Sequence, residues 1–428
     1  MGIKKHIKAI SKKQFIKILI FIPLIILVLL YFYNEAKKGS DFNVFLQAAQ
    51  KLCTGENIYD YWYQVNNSYL LYFYSPLFAL LLVPFSFLPY IVTNFIWLLA
   101  NTFFTYRIVI ILKKFIDVKF ISKKHFNIVL LISFIFIFRF LLYNFDLIQM
   151  TIFMLYLSLE SINLFEKKKI IAGAILLAFA INIKILPIVL IPYLLYRAYY
   201  KEGILTIILY VVLIFFPAII IGFEYNNFLI HEWWATINPL NTEHAIEVDM
   251  GLHGLSSLIP PLLMETKGEL EMKRNIMTIS PDNVALVLNI VRFFFIALVL
   301  IFLQSLPFKK ERSKIHKLWE LSYLFLVIPL IFPHQQKYAF FFLFPATFYL
   351  VYFIVFQIKT KFVAISKLRF WSIIALLFIV FALTTLTTDG IIGRELNNIT
   401  QHYKLVTYGT IIFIIPLFLS KPKFLIPK

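Results

Sequence analysis

The chain has 428 residues, 61% of them hydrophobic and 15% charged, with 48 Phe and 24 Tyr. Soluble domains carry about 25% charged and 45–50% apolar residues, so a soluble enzyme, a disordered chain and a fibrous one are excluded. The single cysteine, Cys53, leaves no disulfide framework and no cysteine-based metal site, and the net charge of +19 comes from basic residues lying between apolar runs, the pattern of cytoplasmic membrane loops rather than of nucleic-acid binding.

A spanning helix needs about 20 mostly apolar residues. In chain order, apolar runs lie at 16–33, 72–89, 91–112, 126–143, 147–165, 170–183, 185–199, 203–222, 284–304, 319–333, 338–357, 370–388 and 404–420, thirteen in all. Lys4, Lys5, Lys8, Lys12, Lys13 and Lys17 put the N-terminus in the cytoplasm, and the first run lacks a small-residue cleavage site, so it reads as a retained helix. The next strongly basic loop, Lys113, Lys114, Lys119, Lys123 and Lys124, is inside only if one of the two preceding runs does not cross. The run at 72–89 contains Pro76 and Pro84 and ends at Pro89, and it reads as a re-entrant or interfacial segment buried against protein. The loops at Lys167–Lys169, Arg197 with Lys201, Lys309–Lys317, Lys359–Arg369 and Lys421 with Lys423 then all fall inside. The reading is an all-α polytopic membrane protein, one integral membrane domain over 1–428, with about twelve transmembrane helices and both termini cytoplasmic. It is a multi-pass protein of the cell membrane, with long outer segments at 34–90, which includes the re-entrant run, and at 223–283.

Ionisable residues beside or inside apolar spans are costly and mark a site by default; here they gather on the outer side. Asp41, after Gly39-Ser40, stands before apolar positions 42, 45, 46 and 49 at helical spacing. It is either a helix N-cap or a partly desolvated general base, and the two roles are compatible. Tyr59, after Gly55, and Tyr74 are interfacial belt residues or sugar platforms. Asn144, Asp146 and Gln149 occupy an outer turn, as caps and interhelical bonds or as site residues, with Gln149 in the first turn of the following helix. The run from Ile170 to Ile183 rises only about 21 Å, short of a hydrocarbon core of about 30 Å. Lys184, beside Asn182 and ahead of a helix break at Pro187, therefore lies in the outer half of the membrane, where it either snorkels to the headgroups or, as we favour, lines a cavity that accepts an anion. His334-Gln335-Gln336-Lys337 is a dense polar tip, a tight hairpin or a phosphate cradle. The loop at 223–283 adds His231, Glu232, Trp233, Trp234, His244, Asp249 and His253, with no metal-ligand spacing.

These motifs together resemble glycosyltransferase family 87. The resemblance rests on Asp41 with Gly55 and Tyr59, on Tyr74-Ser75-Pro76, on Ala172-Gly173 leading to Lys184-Ile185-Leu186-Pro187, on Gly251 through Leu258, and on Pro333-His334, and it runs from about 35 to 350. It implies the GT-C fold and transfer of a hexose, usually mannose, from a polyprenyl-phosphate sugar on the outer face. Asp41 would be the catalytic base; Lys184, with His334 and Lys337, would contact the donor phosphate. Tyr59, Tyr74, Asn144, Gln149 and His253 would line the substrate site. Ile148-Gln149-Met150-Thr151 and Gln335-Gln336 depart from the family's usual pattern and bear on which sugar is taken.

One carboxylate with cations suits single displacement with inversion: the cations stabilise the leaving phosphate and Asp41 removes the acceptor's proton. No nucleotide loop is visible, and no cofactor or metal is expected beyond the lipid-linked donor itself. The partners expected are that donor, a glycan, glycolipid or protein acceptor, and membrane lipids, with no nucleic acid. The competing reading is a transporter or flippase, whose polar residues would lie near the midplane of two related halves; a ligase or polymerase using a diphosphate-linked sugar is a third.

Overall fold

The computed structural model describes residues 12–66, 68–116, 121–238, 246–304, 306–311, 313–361 and 365–425. The long α1 (Lys12–Lys37) leads to α2 (Asp41–Cys53), which buries Phe42, Phe45, Leu46, Ala49 and Leu52. A small hairpin follows, β1 (Tyr63–Val65) antiparallel to β2 (Ser68–Leu70) with Tyr63 opposite Leu70. Then come α3 (Pro76–Ser86), α4 (Tyr90–Phe115), α5 (Lys123–Asp146), α6 (Thr151–Glu166) and α7 (Ile170–Ile183). A 3-10 turn at Leu186–Val189 opens α8 (Leu190–Tyr196), and α9 (Tyr200–Phe215), α10 (Ala218–Ile221) and α11 (Phe223–Ile237) complete the first part. The second part holds α12 (Leu255–Leu263), α13 (Pro281–Ala297), α14 (Val299–Leu303) and α15 (Lys314–Ile331). After a 3-10 segment at Lys337–Leu343 it continues with α16 (Phe344–Lys359), α17 (Lys367–Phe381), α18 (Asp389–Ile392), α19 (Arg394–His402) and α20 (Leu405–Leu419).

Serine starts many of these helices for one physical reason, since its hydroxyl satisfies a backbone amide that has no intrahelical partner. Ser75 Oγ accepts from Phe78 N at 3.2 Å ahead of Pro76, and Ser122, Ser280, Ser313 and Ser366 do the same for α5, α13, α15 and α17. Helix α15 from Lys317 onward and α16 up to Phe353 are mostly apolar and buried on all sides, so they form the centre of the bundle. Phe325 stacks on Phe342 there at 5.9 Å. The charges in this region are paired: Glu320 of α15 accepts from Arg197 Nε at 3.2 Å and from Tyr193 Oη at 2.9 Å, which answers the cost of burying a carboxylate. Around this centre α9, α13 and α17 expose Ile208, Phe293 and Phe378 outward, a surface suited to lipid.

Most of the expected apolar runs are helices at nearly the expected bounds, and several details differ. Among the described residues six helical segments are long and apolar enough to cross a membrane, and a seventh counts if α19 and α20, bent by 64°, form one span. The run at 185–199 is not one helix but the 3-10 turn and the short α8, because Pro187 interrupts it. The run at 72–89 yields an α3 of 11 residues, rising about 16 Å. Gln149 precedes α6 rather than lying in its first turn, since Ile148 adopts a φ of 50° and the helix opens only at Thr151. Asp146 is the last residue of α5, bonded to Tyr31 Oη, and so is not an N-cap. The hairpin of β1 and β2 was not anticipated; it is too short to show an alternating pattern.

Candidate active site

Where α2 begins, Ser40 is extended and Asp41 is the first helical residue. The N-terminal position favours a negative charge, but the carboxylate does not cap its own helix: it accepts from Gln149 Nε2 at 2.5 Å. Gln149 is held in turn. Its carbonyl oxygen accepts from Trp97 Nε1 at 3.3 Å and Asn101 Nδ2 at 3.2 Å, and its side-chain oxygen accepts from Tyr74 Oη at 3.3 Å. Tyr59 Oη donates to the Tyr74 carbonyl at 2.8 Å from behind. Burial pushes the Asp41 carboxyl up to about 6, against the opposing pull of Lys184 and Gln149.

Lys184 stands at the end of α7, its ammonium 5.8 Å from the Tyr74 ring centre. Among the described residues no carboxylate oxygen lies within 4.0 Å of it. On the facing wall His334 takes a left-handed φ of 57°, a conformation that costs a non-glycine residue energy unless its surroundings hold it. Three contacts do so. Its backbone N donates to Glu247 Oε1 at 2.5 Å, its Nδ1 lies 3.0 Å from the same oxygen, and its ring stacks on Phe73 at 4.9 Å. Glu247 is itself buried, with its carboxyl pushed up to about 7 by that burial. The loop that presents it is pinned from several sides. Glu247 N donates to Ser256 O, His253 N donates to Gln335 O at 2.7 Å, and Lys404 Nζ donates to the carbonyls of Asp249 and Leu252 at 2.8 Å.

Between these walls is a cavity of about 240 Å³ that Asp41, Tyr74, Gln149, Lys184 and His334 all line, with Tyr338 and the exposed Trp62 and Tyr69 among its other residues. Five of the expected site residues thus meet, drawn from α2, the loop before α3, the turn before α6, the end of α7 and the tip after α15.

Four others do not reach the cavity. Lys337 turns away to donate to Tyr143 Oη at 2.9 Å. Asn144 donates to the carbonyls of Phe140 and Tyr338, at 2.8 and 2.9 Å, and so supports Tyr338 from outside. His253 is fully buried beside Phe340, and Tyr59 is buried behind Tyr74. Tyr59 and Tyr74 are both buried and so are not belt residues; Tyr59 is no platform, whereas Tyr74 lines the cavity, and the exposed aromatic rings along it are Trp62 and Tyr69. His244 lies outside the described residues. Glu247 was missed because its neighbours in sequence show no periodicity; its importance follows only from contact with a residue 87 positions away. Among the described residues, side chains with metal-ligand spacing occur at Glu311, His316 and Glu320, away from this cavity, and Glu320 is already bound to Arg197.

The sequence profile of glycosyltransferase family 87 matches residues 72–304, just over half of the chain. The protein belongs to glycosyltransferase family 87. It is accordingly an enzyme and a multi-pass membrane glycosyltransferase, which decides against the transporter reading. The matched span, narrower than 35–350, holds Tyr74, Gln149, Lys184 and Glu247 and leaves Asp41 and His334 outside it. No curated protein and no solved structure matches the chain.

Proposed function

We propose that this family 87 enzyme transfers a hexose, mannose by the resemblance, from a polyprenyl monophosphate to an acceptor hydroxyl on the outer face of the cell membrane. The observation that carries the reading is the cavity where one carboxylate of raised basicity, Asp41, shares the lining with the cation of Lys184, which has no carboxylate oxygen within 4.0 Å among the described residues, and with a braced imidazole, His334. Asp41 accepts the acceptor's proton as that oxygen attacks the anomeric carbon. The bond to the phosphate oxygen breaks on the opposite side, and Lys184 and His334 stabilise the charge that develops there. The product has inverted configuration and the lipid leaves as polyprenyl phosphate. The cavity lies below the usual range of about 300–1,000 Å³ for small-molecule pockets, which suits one sugar ring with the lipid chain outside. About twelve crossings, cytoplasmic termini and the GT-C architecture belong to the same proposal.

The test uses purified protein in lipid and a panel of synthetic polyprenyl-phosphate sugars, with cell-envelope extract as acceptor. Sugar-dependent release of polyprenyl phosphate, lost in a folded Asp41→Asn variant, is the expected result. Release from a diphosphate-linked sugar only would overturn the proposed donor class.

A further inference from the structure

Helices α7 and α9 pack along each other, and both start on the same side of the bundle, at Ile170 and Tyr200. Between their first turns runs an open groove of about 820 Å³. Its rim carries Lys168, Lys169 and Lys201, and its floor is aliphatic, with Ile171, Ile204 and Ile208 exposed along it. Neither helix has a side-chain cap, so the partial positive charge of both N-termini adds to that of the lysines.

The neighbouring carboxylates do not compensate this charge. Glu166 accepts from Lys317 and from Tyr199 Oη, each at 2.6 Å. Glu202 is buried and lies 3.9 Å from Lys310. Among the described residues no carboxylate oxygen lies within 4.0 Å of Lys168, Lys169 or Lys201. Ammonium groups without acidic partners above an exposed aliphatic floor match an amphiphile with an anionic head. A soluble polyanion would leave the floor bare, and a zwitterionic lipid would leave the lysines uncompensated. Lys168 and Lys169, just before α7, and Lys201, in the first turn of α9, lie on the side that the charge pattern assigns to the cytoplasm, where basic pockets between helices hold anionic headgroups.

We propose that this groove binds an anionic phospholipid of the inner leaflet, its phosphate among Lys168, Lys169 and Lys201 and an acyl chain along Ile171, Ile204 and Ile208. The site is at the opposite end of α7 from Lys184 and is independent of the catalytic cavity.

Native mass spectrometry of the full-length protein in neutral detergent tests this, titrating phosphatidylglycerol and phosphatidylcholine. The native chain is expected to prefer phosphatidylglycerol by about tenfold, and K168Q/K169Q/K201Q to lose that preference. The K123Q/K124Q variant, altered in another basic loop, is expected to keep it. Equal binding of the two lipids by the native chain, or a preference retained in the triple variant, would overturn the proposal. Loss of preference in K123Q/K124Q as well would reduce the effect to general surface charge and overturn it too. Displacement of the lipid by millimolar inorganic phosphate alone would show an anion site that does not need the acyl chain, and would count against the lipid.

Discussion

In the proposed mechanism Asp41 is the residue on which the chemistry depends. Its carboxyl is pushed up to about 6 by burial, so it is ionised and able to accept a proton only above that pH. The rate of transfer should rise with pH through about 6 and then flatten, and a midpoint near 4 would mean a solvated carboxylate with no special role. Asp41→Asn should lower kcat by about 10²- to 10⁴-fold while leaving the thermal unfolding curve in place. Gln149 offers a finer test. Its hydrogen bond pulls the Asp41 carboxyl down, so Gln149→Leu should move the acidic limb of the pH profile to higher pH, which a purely structural defect would not do. Asp41 and Lys184 were legible in the sequence because charge beside an apolar run is costly wherever it occurs. Their common cavity was not, because 143 positions separate them.

At the scale of elements, the site depends on how closely α6 and α7 approach, since α7 delivers Lys184. Gly173 makes the approach possible: a Cβ there would lie 2.5 Å from Phe165 Cε1 and 3.1 Å from the Ser161 carbonyl oxygen. Gly173→Val should therefore cost about 1–3 kcal/mol by overpacking, read as a lower unfolding temperature in detergent. The facing element is the tip after α15, where Glu247 holds both the backbone and the ring of His334. Glu247→Gln should raise KM for the donor more than it lowers kcat, if His334 grips the phosphate; an unchanged KM would leave Glu247 with only a packing role. Helix existence was readable here from the length of apolar runs, and α7 ends where the sequence predicts. The break at Pro187 was readable too, from the proline itself; the late start of α6 and the hairpin were not, because a local φ or a three-residue strand leaves little mark on hydropathy.

At the scale of the molecule, the orientation of the bundle is open to direct measurement, because Cys53 is exposed and unpaired and lies in the segment read as outer. An impermeant maleimide should label native Cys53 in intact cells, whereas Lys124→Cys in a Cys53→Ser background should react only after permeabilisation. Labelling of both from outside would mean that 72–89 crosses, and the reverse pattern would put the Asp41 cavity in the cytoplasm.

The sequence by itself determined that this chain is a predominantly helical membrane protein and pointed to its family, since hydropathy, charge between runs and short motifs are local properties that survive without coordinates. It also singled out Asp41, Lys184 and His334, because isolated polar groups in apolar surroundings need a partner or a purpose. Tertiary structure alone decided which of the polar residues share one cavity. It turned Lys337 towards Tyr143, buried His253 and Tyr59, and brought Glu247 under His334. Those outcomes follow from the packing of helices far apart in the chain, and packing fixes the direction of each side chain only when every neighbour is in place.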